Sequence, residues 1–268
     1  MNNKSYNQDS VFQPENLLRE ARRQKTIDYC TIPKVCVLDP DGDILSHLIK
    51  SQQATLSKCW ACYHTKMYEF EIDGITLGII GNAVGASFTV LLAEQMFVSG
   101  CELLISITSA GVIILPESNP EYILITKALR DEGTSYHYLP PSEFSEFPQI
   151  IADHAQKLID NDRLRLEHGV SWTTDAPYRE TDTAIEYAKA RNINVVEMES
   201  AALYAFAKRK RKTVICFAHL TNSMAQSEGD FEKGEKNGGL KSLELIKHTI
   251  QILDNTISLK KPINYENN

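Results

Sequence analysis

Nothing in the 268 residues approaches the roughly 18 consecutive apolar positions that a bilayer-crossing helix needs, so no membrane-spanning segment is expected. The opening stretch, Met1 to Pro14, lacks the apolar centre of a secretion signal and is rich in Asn, Gln and Ser, which points to a cytoplasmic protein. Neither a G-x-G-x-x-G turn nor a Walker-type phosphate loop occurs, and dinucleotide or ATP chemistry loses most of its support. Internal repeats and low-complexity tracts are also missing. Excess positive charge is absent: 28 Lys and Arg stand against 35 Asp and Glu, a net charge of −7, which argues against a nucleic-acid-binding surface. The longest basic run, Lys208 to Lys212, reads as the solvated, dipole-matched end of a helix rather than a phosphate or RNA site. Six cysteines (30, 36, 59, 62, 101, 216) are scattered rather than framed as disulfides. Cys59-Trp60-Ala61-Cys62 has the spacing of a redox or zinc site. A second pair of ligands at suitable spacing is lacking, His64 being the near candidate, so the structural reading is preferred and no metal is expected.

What the chain does contain, 43% hydrophobic and 24% charged residues, suits one large globular α/β domain with a well-buried core. Residues 1–13 are expected to be a flexible segment, 14–258 the folded domain and 259–268 a tail. Pro14 to Arg23 reads as a short helix, and Lys34 to Leu38 as a buried strand ending in the breakers Asp39-Pro40-Asp41-Gly42-Asp43. Helix 43–52 and a hairpin, 68–72 and 75–80 around Asp73-Gly74, follow. A small-residue loop, 81–87, leads to helix 88–99, closed by Gly100. Strand 102–107 runs into Thr108-Ser109-Ala110-Gly111, read as a second small-residue loop. Strand 122–126, a polar excursion to 147, helix 148–161, strand 169–173, helix 182–191, strand 193–196 with its following helix, strand 213–219 and helix 239–256 complete the chain. Strands alternating with helices imply a mixed, mostly parallel sheet flanked by helices, with the active face at the strand ends.

The densest chemical feature is Val195-Val196-Glu197-Met198-Glu199-Ser200, where a strand turns into an Ala-rich helix. A carboxylate there can accept two hydroxyls of a vicinal diol, and methionine offers a soft apolar surface to a sugar ring. Both acids also suit a helix N-terminus through its dipole alone. Three further segments are unusually polar. Ser106 to Gly111 carries hydroxyls and backbone N–H groups that suit an anion or sugar, or else packs tightly on a helix. Arg130 to Tyr138, with His137, is too polar for core and too aromatic for a linker; the plainer reading is an exposed ordered loop. Trp172 to Thr181 follows a strand and presents Asp175, Tyr178 and Arg179, whose guanidinium can read a planar carbonyl or simply pair with Glu180.

Four motifs together resemble the nucleoside phosphorylase family of uridine and bacterial purine nucleoside phosphorylases: V-E-M-E-S-A-A-L-Y-A (196–205), R-D-E-G-T-S-Y-H-Y-L (130–139), W-T-T-D-A-P-Y-R-E-T (172–181) and T-S-A-G (108–111). The similarity extends over most of 33–256, and the second and third motifs favour the uridine branch. The resemblance implies cleavage of an N-glycosidic bond by phosphate through a charge-separated transition state. Phosphate would be a co-substrate, no cofactor would be needed, and the protein would be a homodimer or hexamer. Ser109 and Arg179 would be catalytic, Arg179 beside a pyrimidine carbonyl. Met198, Glu199, Glu197, Thr108, Gly111, Asp175, Tyr178, Arg130 and His137 would bind the nucleoside. The acid with which purine enzymes protonate the base would fall near Leu220-Thr221, where there is none, so a pyrimidine such as uridine is expected.

Three phosphate-binding arginines of the family pattern are missing. Asp39-Pro40-Asp41-Gly42-Asp43 stands where P-G-D-P-x-R is expected, Ser106 replaces a second arginine, and Tyr63 or His64 a third. A dianion beside three carboxylates is unfavourable by several kcal/mol to order of magnitude. Either other groups (His64, Lys66, Arg130) bind phosphate, or water replaces it in a nucleosidase, or the scaffold binds a nucleoside without turnover.

Overall fold

The computed structural model describes residues 4–161, 163–221 and 238–257; the expected tail, 259–268, lies outside them. In chain order the elements are α1 (Pro14–Lys25), β1 (Val35–Asp39), α2 (Asp43–Lys50), β2 (Thr55–Leu56), β3 (Tyr68–Ile72), β4 (Ile75–Gly81), α3 (Ala86–Val98), β5 (Leu103–Val112), β6 (Tyr122–Asp131), α4 (Ser135–Tyr138), β7 (Phe144–Glu146), α5 (Ala155–Ile159), β8 (Leu166–Thr174), α6 (Asp182–Lys189), β9 (Val195–Glu197), α7 (Ser200–Lys210), β10 (Thr213–Leu220) and α8 (Gly239–Ile257).

The continuous apolar runs become strands buried on both faces, as expected where helices cover a sheet on each side. Along β1, Cys36 and Leu38 join a core with residues of α3 and α7, whereas Val35 and Val37 join a second core with residues of α2 and α8. Strand β5 divides in the same way, Leu104 to the first core and Leu103, Ile105 and Ile107 to the second. Helix α7 is buried from Ser200 through Ala207. A helix enclosed on all sides needs small residues to approach its neighbours, which its alanines provide.

The strands form one mixed sheet in the order β10-β6-β8-β9-β5-β1-β4-β3-β2, with β7 added to β6 and β10 also paired with β5. That extra pairing closes β5, β10, β6, β8 and β9 into a ring from which β1, β4, β3 and β2 extend. The long inner ladders, β6 with β8 and β5 with β10, are parallel, as are β1 with β4 and with β5. The antiparallel meeting of β9 with β5 closes the ring on one side, and that of β10 with β6 on the other. The expected mixed α/β architecture is therefore present, bent into a partial barrel.

Three local expectations are corrected. Residues 108–111 are part of β5 and not a loop, because β10 pairs with β5 residue by residue as far as Ala110 and β9 takes over at Gly111. The single helix expected at 148–161 divides into a 3-10 segment, Gln149–His154, and the short α5. Cys30 and Cys59 form a disulfide with Cα atoms 5.3 Å apart, tying the α1–β1 connection to the segment after β2. Cys59 thus pairs outside its C-x-x-C, and Cys62 is a buried free thiol; the spacing of two cysteines does not reveal a third that the fold brings near.

Gly169 in β8 shows how tightly the ring is packed. A Cβ there would stand 2.6 Å from Ile123 Cγ2 and 3.0 Å from Asn194 Oδ1, and that oxygen accepts the Val170 N–H. Gly169→Ala is expected to lower stability by about 1–3 kcal/mol, read as a shift of the urea midpoint at unchanged m-value; a shift near zero would show that β6 and β8 have slack at this point.

Candidate active site

Strand β5 changes neighbours along one edge. Its pairing with β1 stops at Ser106, and its pairing with β9 starts at Gly111. Between them lies a gap, and the groups that face it come from four places. The end of β1 and the turn after it supply Asp39 and Asp41, the turn after β4 leads to Gly85, β5 itself supplies Thr108 and Ser109, and the β9–α7 junction supplies Met198 and Glu199.

Glu197, at the end of β9, is almost fully enclosed. Its Oε1 accepts the hydroxyls of Ser171 and Thr173, and its Oε2 accepts the N–H groups of Glu199 and Ser200, both at 2.7 Å. It therefore caps α7 and ties it to β8, a position in which the helix dipole also favours a negative charge. Glu199 is only 1% exposed. Its Oε1 accepts the Gly85 N–H at 2.7 Å and its Oε2 the Met198 N–H at 3.3 Å. Burial first, and the neighbouring Glu197 second, push the Glu199 carboxyl up to about 8, while Gly85 and the Thr108 hydroxyl pull the other way. Burial pushes Glu197 up as well, against the pull of Thr173 and of the N–H groups of Glu199 and Ser200. Four donors converge on Glu197 and fewer on Glu199, so Glu197 is the better satisfied carboxyl of the pair.

Ser109 is half-buried at the gap. Its N–H and hydroxyl both donate to the Asp41 carboxylate, at 2.7 and 2.8 Å. Asp39 behind it is buried and accepts N–H groups of Gly42 and Leu45. Burial, with a contribution from the charges of Asp41 and Asp43, raises the Asp39 carboxyl to about 7. Among the expected binding residues, Met198, Glu199, Thr108 and Ser109 are thus brought together, with Glu197 behind them as their anchor and Gly111 beside them, opposite Val196.

The other expected residues belong to neighbouring strand ends. Glu197 is level with Thr173, which is level with Arg130. The segments after β6 and β8 are tied together there by the Gly133 N–H on Asp175 Oδ2 at 2.8 Å and by Trp172 Nε1 on Asp131 Oδ2 at 2.9 Å. A cavity of about 550 Å³ lies beside them, lined among others by Asp131, Tyr136, Trp172 and Tyr187. The buried Arg130 donates to Ser135, Leu139, Pro140 and Ser142 and so organises its own loop. His137 is exposed and lines a different cavity against residues 5–14. Tyr178, at 99% exposure, and Arg179 stand in solvent on a 3-10 turn. Burial pushes Glu180 up, the opposite of what pairing with Arg179 would do.

Residues 34–251 match the sequence pattern of the phosphorylase superfamily. The chain belongs to that superfamily. A guanosine phosphorylase of Halorubrum lacusprofundi is 27% identical over 158 residues, 56% of this chain and 64% of that protein. An uncharacterized protein of Acanthamoeba polyphaga mimivirus is 28% identical over 47% of this chain and 49% of its own. The matches to these curated relatives thus span less than two thirds of their lengths. Among solved structures, a uridine phosphorylase from Vibrio fischeri superposes with a TM-score of 0.67 at 18% identity, covering 84% of this chain and 93% of that one. Purine nucleoside phosphorylase from Toxoplasma gondii gives 0.66 at 15% identity over 86% and 93% of the two chains. AMP nucleosidase from Bacteroides thetaiotaomicron gives 0.65 at 18% identity over 84% and 91%. At such identities the likeness is one of fold.

Two features of this superfamily member were not legible in its sequence: the pairing of Asp41 with Ser109, 68 positions away, and that of Glu199 with Gly85, 114 away. The raised Glu199 carboxyl has a consequence for stability. Between the ordinary carboxylate range and about pH 8 the folded chain keeps a proton that the unfolded chain has released, so stability falls as pH rises through that window. Glu199→Gln is expected to flatten the decline of Tm between about pH 5 and 8; an unchanged slope would place the retained proton elsewhere.

Proposed function

We propose that the protein cleaves the N-glycosidic bond of a ribonucleoside, holding the ribose between Met198 and Glu199. The observation that carries this reading is Glu199 itself, a buried carboxyl at the mouth of the gap, fixed by the Gly85 N–H and beside Thr108 and Ser109. Its carboxyl oxygens take the two ribose hydroxyls, while the Met198 thioether lies against the ring. The reaction moves C1′ from the base nitrogen to an oxygen nucleophile, phosphate or water. As oxocarbenium character develops, the carboxylates lining the gap stabilise it.

Pyrimidine preference, with Arg179 or the linked Asp175–Gly133 pair beside the base, rests on the uridine-branch character of 130–139 and 172–181. The similarity to a guanosine phosphorylase makes purine nucleosides a necessary arm of the test. A homodimer or hexamer is part of the same proposal, since the exposed Tyr178 and Arg179 suit a site completed by a second copy; light scattering on the purified protein reads the assembly directly.

Base release from uridine, guanosine, inosine and AMP, followed by chromatography with and without phosphate, tests the activity. Glu199→Ala is expected to lower kcat/KM for the preferred ribonucleoside on the order of a hundredfold or more, two hydrogen bonds to the ribose being lost. The wild type should prefer that nucleoside to its 2′-deoxy form, and the variant should not. A variant that still discriminates against the deoxy substrate would place the ribose elsewhere.

A further inference from the structure

Away from the gap in β5, a cavity of about 560 Å³ lies between residues 5–14, α3, α4 and the end of α7, and none of the gap residues named above lines it. Such a volume is in the range of small-molecule sites and far above the roughly 30 Å³ of one water. Residues 5–14 form its outer wall. They are tied down by Lys4 Nζ, which donates to the Tyr136 carbonyl at 2.8 Å, and by the Arg209 guanidinium, which donates to the carbonyls of Tyr6 and Gln8.

The acids and strong bases around the cavity have partners. The Glu94 carboxylate accepts the Tyr138 hydroxyl at 3.0 Å and stands 3.9 Å from Lys210 Nζ. Arg209, besides its two carbonyls, lies 4.0 Å from Asp9. One neutral group lacks a partner. Gln95 in α3 lines the cavity at 3% exposure, and its Oε1 is buried with no hydrogen-bond donor among the described residues. A buried amide oxygen left in that state is costly, and folded proteins satisfy nearly all such groups. What the site lacks is therefore a donor, and with the charges already matched a neutral one. The rest of the lining suits a flat ring. Tyr6, Phe12 and Tyr138 supply aromatic faces, and Tyr138 is fixed edge-on against Phe206 with centroids 5.8 Å apart.

We propose that this cavity is a second binding site, which takes a neutral heterocycle with the lactam edge of a free nucleobase. The ring N–H donates to Gln95 Oε1, and the adjacent C=O accepts from Gln95 Nε2, the paired use of a side-chain amide by which glutamine reads base edges. The aromatic side chains cover the faces of the ring. The site is separate from the gap. Gly85, held there by Glu199, precedes the first turn of α3, and Gln95 is ten residues further on, about 15 Å along the helix. The inference goes beyond the ribonucleoside-cleaving reading of the gap and does not depend on it.

Uracil and hypoxanthine are titrated by calorimetry into the full chain and into Gln95→Leu, with 1,3-dimethyluracil, which has no N–H, as the control. Submillimolar binding of the bases to the wild type is expected, weakened about tenfold or more in Gln95→Leu and for the dimethyl compound. Free base can also enter the gap, so crystals soaked in 5-bromouracil locate the site by the anomalous signal of bromine. That signal should lie beside Gln95 in the wild type and be lost from there in Gln95→Leu. No binding at millimolar base, equal affinity in the two chains or for the dimethyl compound, or bromine at the gap alone would overturn the proposal. Leu91→Trp, at an exposed position of the lining, fills the cavity without altering the amide and guards against misfolding of the buried variant. It should abolish the binding beside Gln95, and unaltered binding there would equally overturn the assignment. Base release from nucleosides reads the gap separately: its absence would sink the function proposed for the gap and leave this titration to be decided on its own.

Discussion

Four hydrogen bonds to one buried carboxylate hold the candidate site together. Glu197 joins the hydroxyls of Ser171 and Thr173 on β8 to the first N–H groups of α7. A charge removed from water persists only where donors replace the lost hydration, and here every donor is a fixed part of a strand or a helix start. The position of Glu199 follows, since it is two residues on and has its own N–H bound to Glu197. So does the course of α7, whose Tyr204 donates its hydroxyl to the Ile125 carbonyl where the β6 ladder shifts register, and accepts from Cys216 N–H. One carboxylate thereby couples the chemistry at the gap to the packing of the ring.

The irregularities of the sheet are where its polar chemistry collects. A regular ladder engages all of its N–H and C=O groups, leaving none to bind anything else. Strand β5 escapes this by exchanging β1 for β9 along one edge, and the exchange frees the Ser109 N–H at a depth no loop would reach. The closure of β5, β10, β6, β8 and β9 into a ring makes the exchange possible, because β9 must run antiparallel to β5 to enter from the far side. The segments after β8 and β6 stand one and two strands beyond β9 along the same row.

Much of this was legible in the chain itself. Apolar runs at 34–38, 102–107 and 213–219 gave buried strands, and the Asp73-Gly74 hairpin stands where the sequence puts it. The expected end of α7 in the run Lys208 to Lys212 is found, the helix closing at Lys210 with Arg211 in the left-handed cap. The loop expected at 108–111 failed for a physical reason: small residues such as Ser, Ala and Gly signal a turn only when no neighbouring strand claims them, and two strands claim these. The guanidinium of Arg130 meets four carbonyl or hydroxyl groups of its own loop, contacts that depend on how residues 135–142 fold back and that the sequence does not show.

By itself the sequence determined the α/β class, the order of the longer strands and helices and the carboxylate pair at the strand-to-helix junction, since all of these follow from local periodicity and residue type. Only the tertiary structure decided what each carboxylate does. Glu197 and Glu199 are two positions apart and alike in chemistry, yet one is held by four donors from two elements and the other faces the gap. Asp41, indistinguishable along the chain from Asp39 and Asp43, is the one that reaches Ser109. Hydrogen bonds between residues 68 or 114 positions apart leave no local trace, because their partners are chosen by strand pairing and not by neighbours along the chain.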